Sequence, residues 1–110
     1  MRYKTLTRNN EFSRTYARGK SFVHPHLVLY VNKNRMGTTR VGLTATKKIG
    51  NAVTRNRARR VMRAALYEVL PYHNGGYDLV FVARGITPKL KSQKVALAAK
   101  KLLTEAGILK

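Results

Sequence analysis

The feature that most constrains this chain is a long segment without any acidic residue. Between Glu11 and Glu68 the sequence contains 13 Lys or Arg and no Asp or Glu. The whole chain of 110 residues carries 23 Lys and Arg against 4 Asp and Glu, a formal net charge of +19. A folded domain with this charge repels itself, and a polyanion at close range would offset the repulsion. Nucleic acid is the leading candidate partner and an anionic membrane is second. A basic surface kept only for solubility is disfavoured, because such surfaces usually intersperse both signs.

The composition predicts one folded domain that spans residues 1–110. A hydrophobic content of 44% suffices for a core, and the length matches one domain. The chain has no Cys, which excludes a disulfide scaffold, a Cys-containing zinc site and thiol catalysis. The apolar runs are too short for a transmembrane helix, and the N-terminus lacks the apolar stretch of a signal peptide. We therefore expect a cytoplasmic protein.

The hydrophobic periodicity predicts an α-β-β-β-α-β-α order, which is an α/β sandwich built on one sheet. The predicted strands are Ser21–His24, His26–Asn32, Arg40–Thr46 and Tyr77–Arg84. The first predicted helix is capped by Thr7 or Asn9 and ends at Gly19, and the second runs from about Ala52 to Val69 and is ended by Pro71. The last predicted helix starts after Pro88 or at Ser92 and runs to Ala106. Because a helix separates the third and fourth of these strands, those two can be parallel neighbours.

The strongest functional signal lies in residues 47–63, where seven of 17 residues are Lys or Arg. We expect the two lysines that open this segment to end a strand, Gly50 to allow a sharp turn, and a helix to follow. The free N–H groups at the start of a helix are suited to phosphate. Arg55, Arg59 and Arg63 recur at one-turn spacing, which is suited to a sugar-phosphate backbone. An ordinary amphipathic helix is the plainer interpretation, but it does not explain why no acid balances the arginines.

Three aromatic residues precede that segment. Phe12 and Tyr16 share one face of the first predicted helix, and Tyr30 lies in the second predicted strand. A basic groove with an aromatic platform is the expected combination for single-stranded nucleic acid. A core position is an equally open alternative for Phe12. It is disfavoured for the two tyrosines, whose hydroxyls need water or a partner.

The sequence offers little catalytic chemistry of its own. A metal-dependent nuclease needs clustered carboxylates, and the four carboxylates of this chain are dispersed: Glu11, Glu68, Asp78 and Glu105. We therefore predict no catalytic residue and no metal site in the protein. The three histidines fit no zinc pattern, and for His24 and His26 an RNA-facing role and no role at all stay equally open. If this chain takes part in catalysis, a partner supplies the active site.

The segment 47–63, which begins Lys-Lys-Ile-Gly-Asn-Ala-Val-Thr-Arg-Asn-Arg and continues Ala-Arg-Arg, resembles the signature of the bacterial ribonuclease P protein family. The similarity extends to 10–20, 27–30, 40–43 and 77–84, so it covers essentially the whole chain. Thr46 stands where the family more often has Ser, and the sequence stops soon after the last helix, where relatives often carry basic tails.

The resemblance implies a fold and a function. The fold is a ribosomal protein S5 domain 2-like α/β fold with a left-handed crossover, against the usual right-handed rule. The function is that of a ribonucleoprotein subunit, which binds a catalytic RNA and the 5′ leader of precursor tRNA and assists endonucleolytic removal of the leader. The resemblance further implies Mg²⁺ held mainly by the RNA, with no additional protein partner required.

The resemblance also assigns binding residues by matching position. Those expected to line a leader-binding cleft are Phe12, Tyr16 and Tyr30. Those expected to contact the catalytic RNA, or the leader near the scissile bond, are Lys47, Lys48, Asn51, Arg55, Asn56, Arg57, Arg59, Arg60 and Arg63. A purely structural RNA-binding module, such as a small ribosomal protein, is the main alternative, because composition alone supports it equally. A membrane-active basic peptide is disfavoured by the modest apolar face of the arginine helix.

Overall fold

The computed structural model describes residues 4–6, 8–69 and 75–109, and it arranges them as a mixed sheet with helices on both faces. The elements in chain order are β1 (Lys4–Thr5), α1 (Asn9–Arg18), β2 (Lys20–His24), β3 (Leu27–Lys33), β4 (Arg40–Thr44), α2 (Ala52–Val69), β5 (Tyr77–Ala83) and α3 (Ser92–Glu105). Short 3₁₀ turns at Lys47–Ile49 and Thr87–Lys89 precede α2 and α3.

The five strands lie in the order β1-β4-β5-β3-β2. β4 and β5 pair in parallel, with Val41 opposite Leu79, whereas β3 runs antiparallel to β5. The predicted parallel neighbours are therefore confirmed, and α2 forms the connection between them. The left hand of this crossover stays a prediction. β1 was not predicted, because two residues are too few to show a period, and it adds one edge strand parallel to β4.

The main core lies between the sheet and the pair α2 and α3. Its largest members are fully buried side chains from the sheet and from both helices: Leu27, Leu29, Val41, Leu79, Phe81, Met62, Leu66, Val95, Leu102 and Leu103. Complete burial of a side chain of this size stabilises the fold by about 1.5–3 kcal/mol. β5 is buried along most of its length, as its continuous apolar run predicted.

The helix α1 packs on the opposite face of the sheet. Phe12 lies over Gly42, whose missing side chain leaves the room: a Cβ at Gly42 would lie 2.6 Å from Phe12 Cε1. Val80, the neighbour of Gly42 in the sheet, is also fully buried on this face. The close approach of α1 to β4 and β5 therefore depends on a glycine.

Two predicted boundaries are wrong. The strand expected over Arg40–Thr46 ends at Thr44, where its pairing with β5 ends, so Lys47 and Lys48 lie in a 3₁₀ turn and not in a strand. The first helix has Arg8 at its N-cap position and Asn9 as its first helical residue. Its start is instead stabilised from within the first turn, since the carboxylate of Glu11 accepts the backbone N–H of Arg8 at 3.1 Å.

The other boundaries lie close to the expectations. The last helix begins at Ser92, which decides between the two starts that the sequence left open, and Gly107 follows it with a φ of 79°. Thr7, Pro71 and His73, which figured in the expected capping, helix end and loop, lie outside the described residues.

Candidate nucleic-acid interface

The start of α2 is built by a glycine turn and an asparagine cap. Gly50 has a φ of 146°, and a Cβ there would lie 3.2 Å from the side chain of Thr54. Asn51 Oδ1 accepts hydrogen bonds from both the backbone N and the Oγ1 of Thr54, each at 2.9 Å. Asn51 was expected to contact RNA, and the structure gives its side-chain oxygen this capping role. One N–H at the start of the helix is therefore already satisfied and not free for phosphate.

The exposed cations of this segment form one surface, the α2 basic surface. It consists of Lys47 and Lys48 in the 3₁₀ turn and Arg57, Arg60 and Arg63 on α2. Within the described parts of the chain, the salt bridges found involve Arg40 and none of these five side chains. Unpaired guanidinium groups on one side of a helix can each donate to phosphate oxygens.

The expected row Arg55, Arg59 and Arg63 divides into two kinds of residue. Arg63 is exposed, whereas Arg55 and Arg59 are half-buried. Arg55 Nη1 donates to the carbonyl of Gly50 at 3.4 Å, and Arg59 Nη2 donates to Asn56 Oδ1. The side chain of Asn56 is thus engaged with an arginine of its own helix.

No helix in the described ranges is long and apolar enough to cross a membrane.

A groove, here called the aromatic groove, lies between α1 and the first turns of α2. It has a volume of about 420 Å³ and is lined by Asn9, Phe12, Ser13 and Tyr16 from α1, Leu43, Thr44 and Ala45 from the end of β4, and Arg59 from α2. Phe12 is half-buried and Tyr16 is exposed, so each presents part of its ring to the groove. Arg59 gives this aromatic lining a cationic border beside the α2 basic surface.

Tyr30 was expected to line the cleft, but it is not one of the lining residues of the aromatic groove and instead contacts Tyr16. The rings of Tyr16 and Tyr30 meet edge to face, with centroids 4.9 Å apart and planes at 82°. The hydroxyl of Tyr16 donates to Thr44 Oγ1 at 3.2 Å, which fixes the other end of the ring. Tyr16 is thereby held in one orientation although 38% of it is exposed. A rigid, exposed ring is a suitable platform for a stacked base.

The fold brings two of the four dispersed carboxylates to one arginine. Arg40 donates to Asp78 through Nε at 2.9 Å and Nη2 at 2.7 Å, and through Nη1 to Glu11. The hydrogen bond with Asp78 is the main factor that raises the pKa of Arg40. Sequence reasoning missed this network, although a carboxylate inside the apolar run of β5 was a signal for it. Glu11 links α1, and so the wall of the aromatic groove, to the sheet.

The histidines His24 and His26 lie at the opposite end of the sheet from β1, on the edge hairpin. Their ring centroids are 5.0 Å apart, and the backbone N–H of His26 donates to His24 Nδ1 at 3.1 Å. Burial lowers the pKa of His24, as do the neighbouring His26 and Lys101, while Glu105 opposes them. Among the residues that the structure describes, no three His, Asp or Glu side chains form a group that could hold a metal ion.

The whole chain has clear similarity to known proteins. A family model described as Ribonuclease P matches residues 1–107. The ribonuclease P protein component of Clostridium botulinum (strain Loch Maree) is 38% identical over 109 residues, which cover 98% of each chain. That of Clostridioides difficile (strain 630) is 42% identical over 84 residues, which cover 76% of this chain and 74% of the relative. The solved RNase P protein of Staphylococcus aureus matches with a TM-score of 0.82 and 26% identity over 96% of this chain and 97% of that one. The RNase P protein of Thermotoga maritima shares the fold, with a TM-score of 0.72, 21% identity and 96% of each chain covered.

Proposed function

Because this chain belongs to the Ribonuclease P family of protein components, which act in tRNA 5′ processing, we propose that it binds two RNAs through two adjoining surfaces. The α2 basic surface binds the catalytic RNA of the holoenzyme, and the aromatic groove binds the 5′ leader of precursor tRNA. One observation carries this proposal: the aromatic groove presents the rings of Phe12 and Tyr16 and is bordered by Arg59 of α2.

The aromatic groove suits an extended single strand. Tyr16 offers an exposed ring, Phe12 a second apolar surface, and Arg59 a cation within the same groove. Stacking on aromatic side chains is tolerant of base identity, because every base has a π-face. A leader of variable sequence needs this kind of recognition.

The α2 basic surface suits a structured RNA. Its cations are exposed and carry no counter-ion among the described residues, so their hydrogen-bond donors are available to phosphate oxygens. Contacts of this kind position an RNA without reading its sequence. A structural RNA-binding module would share this surface but would have no need for the aromatic groove.

The hydrolytic chemistry is assigned to the RNA partner in this proposal. Mg²⁺ held mainly by the catalytic RNA supplies the activation of water, while the protein binds and orients the leader. The carboxylates of Glu11 and Asp78 are already engaged with Arg40. This engagement supports a protein that has no catalytic residue of its own. From the family membership we further propose that no other protein partner is required and that the location is cytoplasmic.

The first experiment measures cleavage of precursor tRNA by the catalytic RNA at limiting Mg²⁺, with and without this protein. We expect the protein to stimulate cleavage and to lower the Mg²⁺ requirement. Stimulation should weaken with salt, because phosphate contacts release counterions when they form. A protein that binds the catalytic RNA without stimulating cleavage would support the structural-module alternative and refute the proposal.

The second experiment separates the leader from the rest of the substrate. Tyr16→Ala should raise the apparent Kd of the holoenzyme for precursor tRNA by about 5–150-fold, the range for loss of one stacked base, and leave the Kd for mature tRNA unchanged. Tyr16→Phe removes only the hydroxyl bonded to Thr44 and should have a smaller effect. Leu97→Ala, at an exposed apolar side chain of α3 outside the groove and the α2 basic surface, is the control. Equal effects of Tyr16→Ala on both substrates would contradict a leader-binding role.

A further inference from the structure

A second groove lies on the other side of α1 from the aromatic groove. It has a volume of about 530 Å³ and is enclosed by α1, the end of β3 and the connection to β4. Arg14 and Arg18 line it from α1, and Lys33, Asn34 and Arg35 line it from β3 and the connection. At about 100° per residue, positions 14 and 18 each lie about 200° from position 16 around the helix. The helix α1 therefore separates the two grooves.

The floor of the second groove is electrically balanced and firmly held. Arg40 and Asp78 lie there as a bidentate pair, with the Asp78 carboxylate 4% exposed. Asn34 Nδ2 donates to Asp78 Oδ1 at 2.7 Å and to the carbonyl of Thr38 at 3.1 Å. These bonds tie the connection between β3 and β4 to the sheet. The one acidic side chain in the lining is therefore already occupied.

The positive charges on the walls of the second groove are not neutralised by salt bridges within the described residues. Arg14, Arg18 and Arg35 and the lysine at position 33 form no salt bridge with any carboxylate in the described ranges. Four like charges around one cavity repel each other, and the repulsion is relieved when an anion enters between them. The lining is mainly polar, so the cavity does not suit an apolar ligand. Guanidinium groups at two successive turns of a helix match oxygens of neighbouring phosphates.

We propose that the second groove is a further RNA-binding site, which binds backbone phosphates on the side of α1 away from the aromatic groove. It rests on the proposed function in one respect, namely that the ligand of this chain is RNA. The phosphates belong either to the catalytic RNA or to the precursor tRNA leader after it has passed α1. Four cations exceed what one isolated phosphate can neutralise, which favours a backbone over a free small anion.

The test compares the double variant Arg14→Gln/Arg18→Gln with the wild type and with a control of equal charge, Lys89→Gln/Lys100→Gln. The control residues are exposed and lie on the other side of the molecule, in the 3₁₀ turn before α3 and in α3. Urea denaturation of all three proteins first establishes that the substitutions leave the fold intact. The Kd of each protein for the catalytic RNA alone is then measured as a function of salt concentration. The Kd of each holoenzyme for precursor tRNA and for mature tRNA is measured in the same way.

The groove variant should bind about tenfold more weakly at low salt, with a slope of log K against log salt shallower by about 1–2, since each lost phosphate contact removes about 0.9. A loss with the catalytic RNA alone assigns the phosphates to that RNA, and a loss confined to precursor tRNA assigns them to the leader. If the groove variant equals the control in every arm, the second site is refuted while the proposed function stands. If the wild type binds neither RNA, both are refuted.

Discussion

Removal of the Arg40 guanidinium should strongly destabilise this fold. Arg40 lies between Asp78 and Glu11, with side-chain exposures of 13% for Arg40, 4% for Asp78 and 17% for Glu11. Arg40→Met keeps the length and the apolar stem but removes the guanidinium. The carboxylate of Asp78 then stays buried with one remaining donor, the amide of Asn34 at 2.7 Å. An uncompensated buried charge is among the few causes of a large loss from a single substitution.

The magnitude follows from the burial of the pair. Removing one partner of a buried ion pair costs about 3–5 kcal/mol. The bond that Asn34 keeps to Asp78 and the partial exposure of Glu11 place Arg40→Met near the low end, about 3 kcal/mol. For a domain of this length that corresponds to a decrease in Tm of about 10–20 °C. Such a loss leaves a folded population, because small domains are stabilised by about 5–15 kcal/mol.

Urea denaturation monitored by circular dichroism measures the free energy of unfolding directly. The second variant, Arg40→Met/Asp78→Asn, removes the stranded charge and keeps a side-chain oxygen for Asn34. It should recover part of the lost stability. A loss below about 1 kcal/mol for Arg40→Met, the value of an exposed pair, would refute the reasoning. So would a double variant that is no more stable than the single one.

Three smaller perturbations test other parts of the structure. Gly42→Ala should lower the free energy of unfolding by about 1–3 kcal/mol, because the new Cβ meets the ring of Phe12 at 2.6 Å; unchanged urea denaturation would show that the ring yields freely. Asn51→Ala should cost about 1 kcal/mol through loss of the cap on Thr54, and Asn51→Asp should retain the wild-type midpoint. Burial depresses the pKa of His24 in the folded protein, so the unfolded chain binds more protons and stability should fall as pH drops below the unfolded value of 6.5. His24→Gln should flatten that part of the pH profile, and an unchanged slope between pH 7 and pH 5 would assign it to other groups.

The charge pattern of the sequence predicted the α2 basic surface in part. The acid-free segment predicted a basic helix with a row of arginines, and α2 is that helix. The row itself was only partly predictable, because Arg55 bends back to the carbonyl of Gly50 and Arg59 bonds within the helix. Which arginine is free depends on side-chain partners that a spacing pattern does not contain. Arg57 and Arg60, which lie off the one-turn row, are exposed instead.

The sequence by itself determined the elements and the chemical class of the partner. Hydrophobic periods of two and near four residues encode strands and helices locally, and the charge of +19 is a sum that folding cannot change. The tertiary structure alone decided which basic side chains are bonded to other groups of the protein and which stay exposed and available to a ligand. Arg40 bonds to carboxylates 29 and 38 residues away, and Tyr16 contacts Tyr30 and Thr44. The register of the strands and the position of α1 on the sheet bring these residues together. Contacts over such distances depend on how elements pack, so no local pattern could have shown that α1 lies between two grooves.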